Sequence, residues 1–111
     1  NKLHGKLLMT ATTTGGSSGS YTEEGFNHST IPELLMPLRR TADLCGMEYL
    51  PPFAVRGTHN MPPERAEAFA RDYREVILAL RDERLDWSQA GDILNEDLSA
   101  VIRAEEAGRA G

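Results

Sequence analysis

Residues 6–16 read KLLMTATTTGG, a run that joins a strand signal to a chain breaker. The apolar and β-branched residues from Lys6 to Thr13 are typical of a buried strand that ends at a glycine pair. The next stretch, residues 14–29, is rich in Gly, Ser and Thr and is too long for a simple turn. We therefore expect a strand whose carboxyl end leads into a functional or mobile loop.

A helix is predicted after this loop. Thr30 can cap its amino end, with Glu33 completing a capping box, and Gly46 is placed to end it. Pro37 should kink the helix locally, because proline lacks the N–H that a helix interior requires. The predicted buried face consists of apolar residues at steps of three and four, namely Ile31, Leu35, Leu38, Ala42 and Cys45.

A second strand and helix follow. Residues 47–55, MEYLPPFAV, suit a strand, but Pro51 and Pro52 cannot donate to a ladder, so we expect an edge strand or an interrupted one. Residues 62–64, PPE, open the clearest helix in the chain. The apolar stripe of that helix consists of Ala66, Phe69, Tyr73, Val76, Ile77 and Leu80.

The order of these elements predicts an α/β fold with parallel strands joined by a right-handed crossover. Two parallel strands are too few for a stable sheet, so the pattern implies further strands upstream. The first residue is Asn1 rather than Met, which also suggests that the chain begins inside a longer protein. Weak periodicity predicts a marginal helix over residues 85–102, and residues 104–111 read as a frayed tail.

Composition excludes several classes of function. The net charge of -5, without a run of Lys or Arg, argues against a nucleic-acid partner. Cys45 is the only cysteine, so no internal disulfide can form and a reducing cytoplasm is the expected compartment. Because Cys45 lies on the apolar face of the predicted helix, we interpret it as a small core residue. His4 and His59 are isolated and lack ligand spacing, so no metal site is predicted.

The glycine turn at residues 12–16 is the strongest candidate for a binding site. Open α/β sheets bind ligands beyond the carboxyl ends of their strands, and this turn directly follows a strand. Glycine lets the backbone approach a planar ring, and unhindered N–H groups favour negative charge. A flexible Gly/Ser loop without a function is the alternative.

Three stretches together carry a family resemblance: LHGKLLMTATTTGGSSGSY at 3–21, GFN at 25–27 and IPELLMPLRRTADLCGMEYLPPFAV at 31–55. They resemble the flavodoxin-like NAD(P)H:quinone oxidoreductase family. The closer branch is the ancillary quinone reductase of the glutathione-regulated potassium-efflux system, through LHGK, TTGG, CG-x-x-x-LPPF and the last helix. The DT-diaphorase type is similar mainly through TTGG and the tyrosine that follows.

The resemblance implies a five-stranded doubly wound parallel sheet, of which this chain holds the last two strands and their helices. Residues 1–84 would be the C-terminal half of that domain, and residues 85–111 a C-terminal extension. The phosphate-binding loop of the family, which follows its first strand, would lie outside this chain. The family also implies a homodimer.

The implied activity is transfer of hydride from NAD(P)H to FMN, with FAD as the alternative flavin, and then to a quinone or other small acceptor. Four residues are expected to line one edge of the flavin: Thr13, Thr14, Gly15 and Gly16. Tyr21 is the candidate donor to the flavin, since a phenol can hydrogen-bond developing charge. The animal enzymes carry a histidine six residues after their tyrosine, whereas this chain has Asn27 there and His28 one place later. His28 is therefore a weaker catalytic candidate, and a solvent-facing loop residue is its alternative role.

The closer branch implies an alternative function, as a regulatory subunit that activates a glutathione-gated potassium-efflux transporter, with catalysis secondary. The protein would then lie in the cytoplasm or peripherally on the cytoplasmic face of the inner membrane. A third alternative is that these 111 residues alone are inactive.

Overall fold

The computed structural model describes residues 2–15 and 30–104 of the chain. The strands are β1 (Leu7–Leu8), β2 (Ala11–Thr13), β3 (Glu48–Tyr49) and β4 (Phe53–Val55). The α-helices are α1 (Ile31–Leu34), α2 (Met36–Leu44), α3 (Pro63–Arg81) and α4 (Leu98–Val101). Three 3₁₀ turns lie at Thr58–Asn60, Trp87–Gln89 and Leu94–Glu96.

The strands form two short parallel pairs, which confirms the predicted α/β fold with parallel strands. β1 pairs with β3, and β2 pairs with β4 so that Thr13 lies opposite Val55. Between the two pairs, the register shifts by one residue at Pro51 and Pro52. Neither proline has an N–H to donate, so the ladder resumes only where the Phe53 N–H donates to the Thr10 carbonyl at 2.9 Å. The prediction of an interrupted second strand is confirmed.

Within the described residues, the outer edge of β4 is closed by a side chain rather than by another strand. The Ala54 N–H donates to Oδ1 of Asn95 at 2.9 Å, and Nδ2 of Asn95 donates to the Ala54 carbonyl at 3.0 Å. Next to this pair, the Leu94 N–H donates to the Pro52 carbonyl at 2.8 Å. Because an unpaired strand edge invites pairing with other chains, this segment protects β4.

The first predicted helix is divided into two helices. The prediction that Pro37 kinks a single helix was therefore wrong. Thr30 and Glu33 make the predicted capping box of α1, but this helix ends at Leu34. Leu35 is both the C-cap of α1 and the N-cap of α2, and Pro37 lies in the first turn of α2. A proline fits there because the first-turn N–H groups have no partner within a helix.

The predicted buried face of this region is only partly buried. Ile31 and Ala42 are buried near its two ends, and Leu35 and Cys45 are half-buried. Leu38, in the middle of the face, is 47% exposed, so its predicted burial was wrong. The amino end of this helical region is fixed by Ile31, which packs with Ala54 in the core. Its carboxyl end is fixed by the turn after α2.

The turn after α2 joins two of the motifs that carry the family resemblance. Gly46 has the left-handed φ of +69°, and the Gly46 and Met47 N–H groups donate to the Asp43 and Ala42 carbonyls. These two bonds make a Schellman motif, so the predicted helix end at Gly46 is confirmed. The Gly46 carbonyl accepts from the Gly5 N–H at 2.8 Å, and the His4 ring lies against Gly46. This hydrogen bond and this ring contact therefore join the LHGK and CG motifs just before β1 and β3.

Helix α3 is where the sequence predicts it and packs on the sheet through part of its stripe. Val76 is buried, and Tyr73 meets Phe53 edge to face with ring centroids 5.2 Å apart. Tyr73 and Ile77 are nevertheless 39% and 42% exposed. The main core cluster comprises Leu50, Phe53, Val76, Ala79, Leu85, Leu94 and Val101.

The predicted marginal helix over residues 85–102 was wrong. The segment contains two 3₁₀ turns and the four-residue α4, and a bridge joins Leu85 to Ile102. A continuous helix could not bring Leu94 to the core and also offer its N–H to Pro52, so tertiary contacts override the weak periodicity. The boundary at residue 84 stays a prediction, although this segment shares the core of the sheet. Most of the predicted frayed tail, residues 105–111, lies outside the described residues.

Candidate functional site

Strands β2 and β4 end side by side, and hydrogen bonds continue past the last strand residues. The Thr14 N–H donates to the Val55 carbonyl at 2.8 Å. The Thr14 carbonyl in turn accepts from both the N–H and the Oγ1 hydroxyl of Thr58, each at 3.0 Å. The backbone that enters the glycine turn is thus fixed to the loop after β4.

The structure places three of the four predicted flavin-lining residues, Thr13, Thr14 and Gly15, at this carboxyl end. The fourth, Gly16, lies outside the described residues. The two predicted catalytic residues, Tyr21 and His28, also lie outside them. The geometry of the site therefore concerns the start of the turn.

Gly15 differs from the glycines that the fold itself requires. Gly5, Gly46 and Gly57 have left-handed φ values of +79°, +69° and +73°, which favour glycine. Gly15 has no such φ, and a Cβ added to it would meet no atom of the described chain within 4 Å. The described part of the chain thus gives no reason for glycine at this position. A glycine of this kind suits the close approach of a ligand to the backbone.

An open groove of about 540 Å³ runs from the end of β2 between the sheet and α3. Its lining includes Thr13, Val55, Phe69 and Tyr73, and every residue that lines it is uncharged. An apolar groove of this kind suits a flat or apolar surface. It offers no cation that could bind a phosphate group.

A smaller cavity of about 300 Å³ lies at the outer side of β4 and contains two arginines. The guanidinium of Arg56 is paired with Glu96, with Nη2 2.6 Å from Oε1. The guanidinium of Arg65 lies over the Phe69 ring, 5.5 Å from its centroid. Because Glu96 offsets one of the two positive charges, this cavity is a weak candidate for an anion site.

The remaining titratable candidates form no further site in the described part of the chain. No group of three or more His, Cys, Asp or Glu side chains there could hold a metal ion. His4 packs on Gly46, His59 is exposed in a 3₁₀ turn, and Cys45 is half-buried. Across residues 2–15 and 30–104, no helix is long and apolar enough to cross a membrane.

Sequence reasoning missed two residues that shape this end of the sheet, Thr58 and Asn95. Both act through hydrogen bonds to strands more than 40 residues away in the chain. Neither is marked by periodicity or by a known motif, because a single polar side chain after an apolar run is also typical of an ordinary loop. Only the fold brings them to the strand ends.

Comparison with known proteins decides the family. A family model described as having a flavodoxin-like fold matches residues 1–79. The chain belongs to this flavodoxin-like family. The resemblance identified in the sequence is thereby confirmed, and the carboxyl end of β2 is the edge at which open sheets of this type bind ligands.

Curated relatives support the same assignment. General stress protein 14 of Bacillus subtilis is 42% identical over 77 residues, which cover 69% of this chain. The glutathione-regulated potassium-efflux system ancillary protein KefF of Klebsiella pneumoniae is 40% identical over 88 residues, or 79% of this chain. The chain spans only 44% and 45% of these relatives, respectively.

One solved structure also has a similar fold. The crystal structure of a thermophilic tryptophan halogenase enzyme from Streptomycin violaceusniger matches with a TM-score of 0.65 and 33% sequence identity. The match covers 68% of this chain and 44% of the other. The similar region is again the greater part of this chain and less than half of its counterpart.

Proposed function

We propose that this chain forms one side of the flavin site of an FMN-dependent NAD(P)H:quinone oxidoreductase, with FAD as the alternative flavin. The observation that carries the proposal is Gly15. It lies exposed at the carboxyl end of β2, has no left-handed φ, and has no atom of the described chain within 4 Å of where a Cβ would be. In a flavodoxin-like sheet, the flavin binds at the carboxyl ends of the strands.

The described residues suit one edge of the flavin ring and do not suit its phosphate. When bound, the flavin supplies the redox chemistry, accepting hydride from a reduced nicotinamide and passing it to a quinone. Thr13, Thr14, Gly15 and Gly16 would hold the ring edge through their backbone. The groove beside them has only uncharged lining residues, so the groove itself supplies no cation for the phosphate.

The residues of this chain act by hydrogen bonding and position rather than as nucleophiles. An N–H of the glycine turn can donate to the ring edge, where negative charge develops during reduction. The Tyr21 hydroxyl is proposed as a second donor there, and His28 as a weaker candidate for proton transfer. NAD(P)H and the quinone are the proposed co-substrates, and a cytoplasmic homodimer is the proposed assembly.

The similarity to KefF favours a second candidate function, as an ancillary protein of a potassium-efflux system. In that role the protein would bind the cytoplasmic side of a transporter, and its redox activity would be secondary. A flavin-free variant separates the two functions. If the variant still activates potassium efflux, binding to the transporter does not depend on the flavin.

The proposed function is tested on the purified intact protein. Mass spectrometry identifies any bound flavin, and nicotinamide absorbance follows the oxidation of NADH or NADPH with and without a quinone. Bound FMN and quinone-dependent oxidation are expected. A protein that takes up no flavin under any condition would contradict the proposal, whereas bound flavin without turnover would favour the ancillary role.

A further inference from the structure

We propose that Thr58 is a positioning residue for the flavin site: its two hydrogen bonds to the Thr14 carbonyl fix the direction of the Gly15 N–H. This inference rests on the proposed function of the glycine turn and adds a residue to it. Thr58 belongs to the loop after β4, 44 residues away from Thr14 in the chain. Its role is therefore not visible in the TTGG motif itself.

The peptide group that joins Thr14 to Gly15 sets the direction of the Gly15 N–H. The Thr14 carbonyl and the Gly15 N–H belong to the same planar unit, and no cis peptide bond occurs in the described residues. In a trans peptide the C=O and N–H bonds point in opposite directions. The Thr14 carbonyl points toward Thr58, beyond β4. The Gly15 N–H therefore points away from β4.

The position of Gly15 makes the direction of this N–H important. Gly15 is exposed, and a Cβ there would have no atom of the described chain within 4 Å. A donor at this exposed position is placed to meet an acceptor on the proposed flavin edge. The direction of that donor then matters to ligand binding.

The two hydrogen bonds from Thr58 also strengthen the Gly15 N–H as a donor. Two donors on the Thr14 carbonyl polarise its peptide group, and linked hydrogen bonds strengthen one another. The same two bonds restrict rotation of the Thr14–Gly15 peptide plane before the ligand arrives, and such preorganisation favours binding.

The experiment compares Thr58→Val, which keeps the shape and the N–H but removes the hydroxyl, with Thr58→Ser, which restores the hydroxyl. Thr41→Val is the matched control. Thr41 also donates its hydroxyl to a backbone carbonyl, that of Pro37 at 2.9 Å, but lies in α2. The measurements on the intact protein are the dissociation constant for FMN and the amide proton shift of Gly15 after ¹⁵N-glycine labelling.

We expect Thr58→Val to weaken FMN binding about three- to tenfold, the effect of one net hydrogen bond. The Gly15 amide signal should move in the same variant without FMN, and Thr58→Ser should restore both. Thr41→Val should leave both at their wild-type values. Unchanged FMN affinity and an unchanged Gly15 signal in Thr58→Val would overturn the proposal, as would equal weakening in all three variants.

The two arms distinguish this inference from the proposed function. If the wild-type protein binds no FMN, the flavin proposal fails. The Gly15 amide signal still decides whether Thr58 orients the turn, because it is recorded without ligand. If FMN binds normally but the signal does not respond to Thr58→Val, the positioning role fails alone.

Discussion

Replacing Gly46 by alanine tests whether the turn after α2 requires glycine, both for its left-handed φ and for its close contact with the His4 ring. Gly46 has a φ of +69°, and an L-residue in the left-handed region costs about 1–2 kcal/mol. An alanine Cβ would also lie 2.6 Å from Cδ2 of His4, so the exposed ring would have to move. We therefore expect Gly46→Ala to lower the free energy of unfolding by about 1–2 kcal/mol from the backbone alone.

For an intact domain of about 150–250 residues, that loss corresponds to a fall in melting temperature of about 2–8 °C. Thermal unfolding followed by circular dichroism measures it. Gly91→Ala is the matched control, because Gly91 has no left-handed φ and open space at its Cβ position. That variant should change the free energy of unfolding by no more than about 0.5 kcal/mol.

The double variant His4→Ala/Gly46→Ala separates the two contributions. Removing the ring relieves the close approach to Cβ but leaves the left-handed backbone, so only part of the stability should return. Equal melting temperatures for Gly46→Ala and Gly91→Ala would contradict the requirement for glycine at position 46. Full recovery in the double variant would show that the His4 ring, rather than φ, makes alanine costly.

Three further predictions address other parts of the chain. Glu83→Gly should raise the free energy of unfolding by up to about 1 kcal/mol, because Glu83 has a left-handed φ of 55° after α3. Chemical denaturation measures this free energy, and an unchanged or lower value would contradict the prediction. Asn95→Ala should cost about 1–3 kcal/mol by leaving the Ala54 N–H and carbonyl unpaired, and light scattering should detect association through the exposed β4 edge. Tyr21→Phe should slow flavin reduction in stopped flow about ten- to a thousandfold, and an unchanged rate would make Tyr21 a packing residue.

The features that could be predicted from the sequence are those set by local chemistry. The capping box at Thr30 and Glu33, the helix end at Gly46 and the interruption at Pro51 and Pro52 all follow from nearby residues. Parallel pairing follows from the order of strands and helices. Each of these depends on backbone preferences or missing donors that are visible over a few positions.

The features that could not be predicted depend on contacts between distant segments. Asn95 makes hydrogen bonds with Ala54, 41 residues away in the chain. These bonds favour a non-helical segment, although the weak periodicity of residues 85–102 predicts a helix. Burial of Leu38 could not be judged from helical spacing, because spacing marks a face but not what covers it. The position of the glycine turn was predictable, whereas its attachment to Thr58 was not.

The central claim is that the glycine turn at the end of β2 contacts a flavin, and the flavin content of Gly15→Val tests it most directly. Gly15 and Gly91 both lack a left-handed φ, and neither has an atom of the described chain within 4 Å of its Cβ position. The fold should therefore tolerate valine at both positions, which circular dichroism checks. The measurement is the flavin-to-protein absorbance ratio of the intact protein after purification. We predict a marked loss of flavin in Gly15→Val and wild-type content in Gly91→Val, and equal flavin content in the two folded variants would contradict the claim.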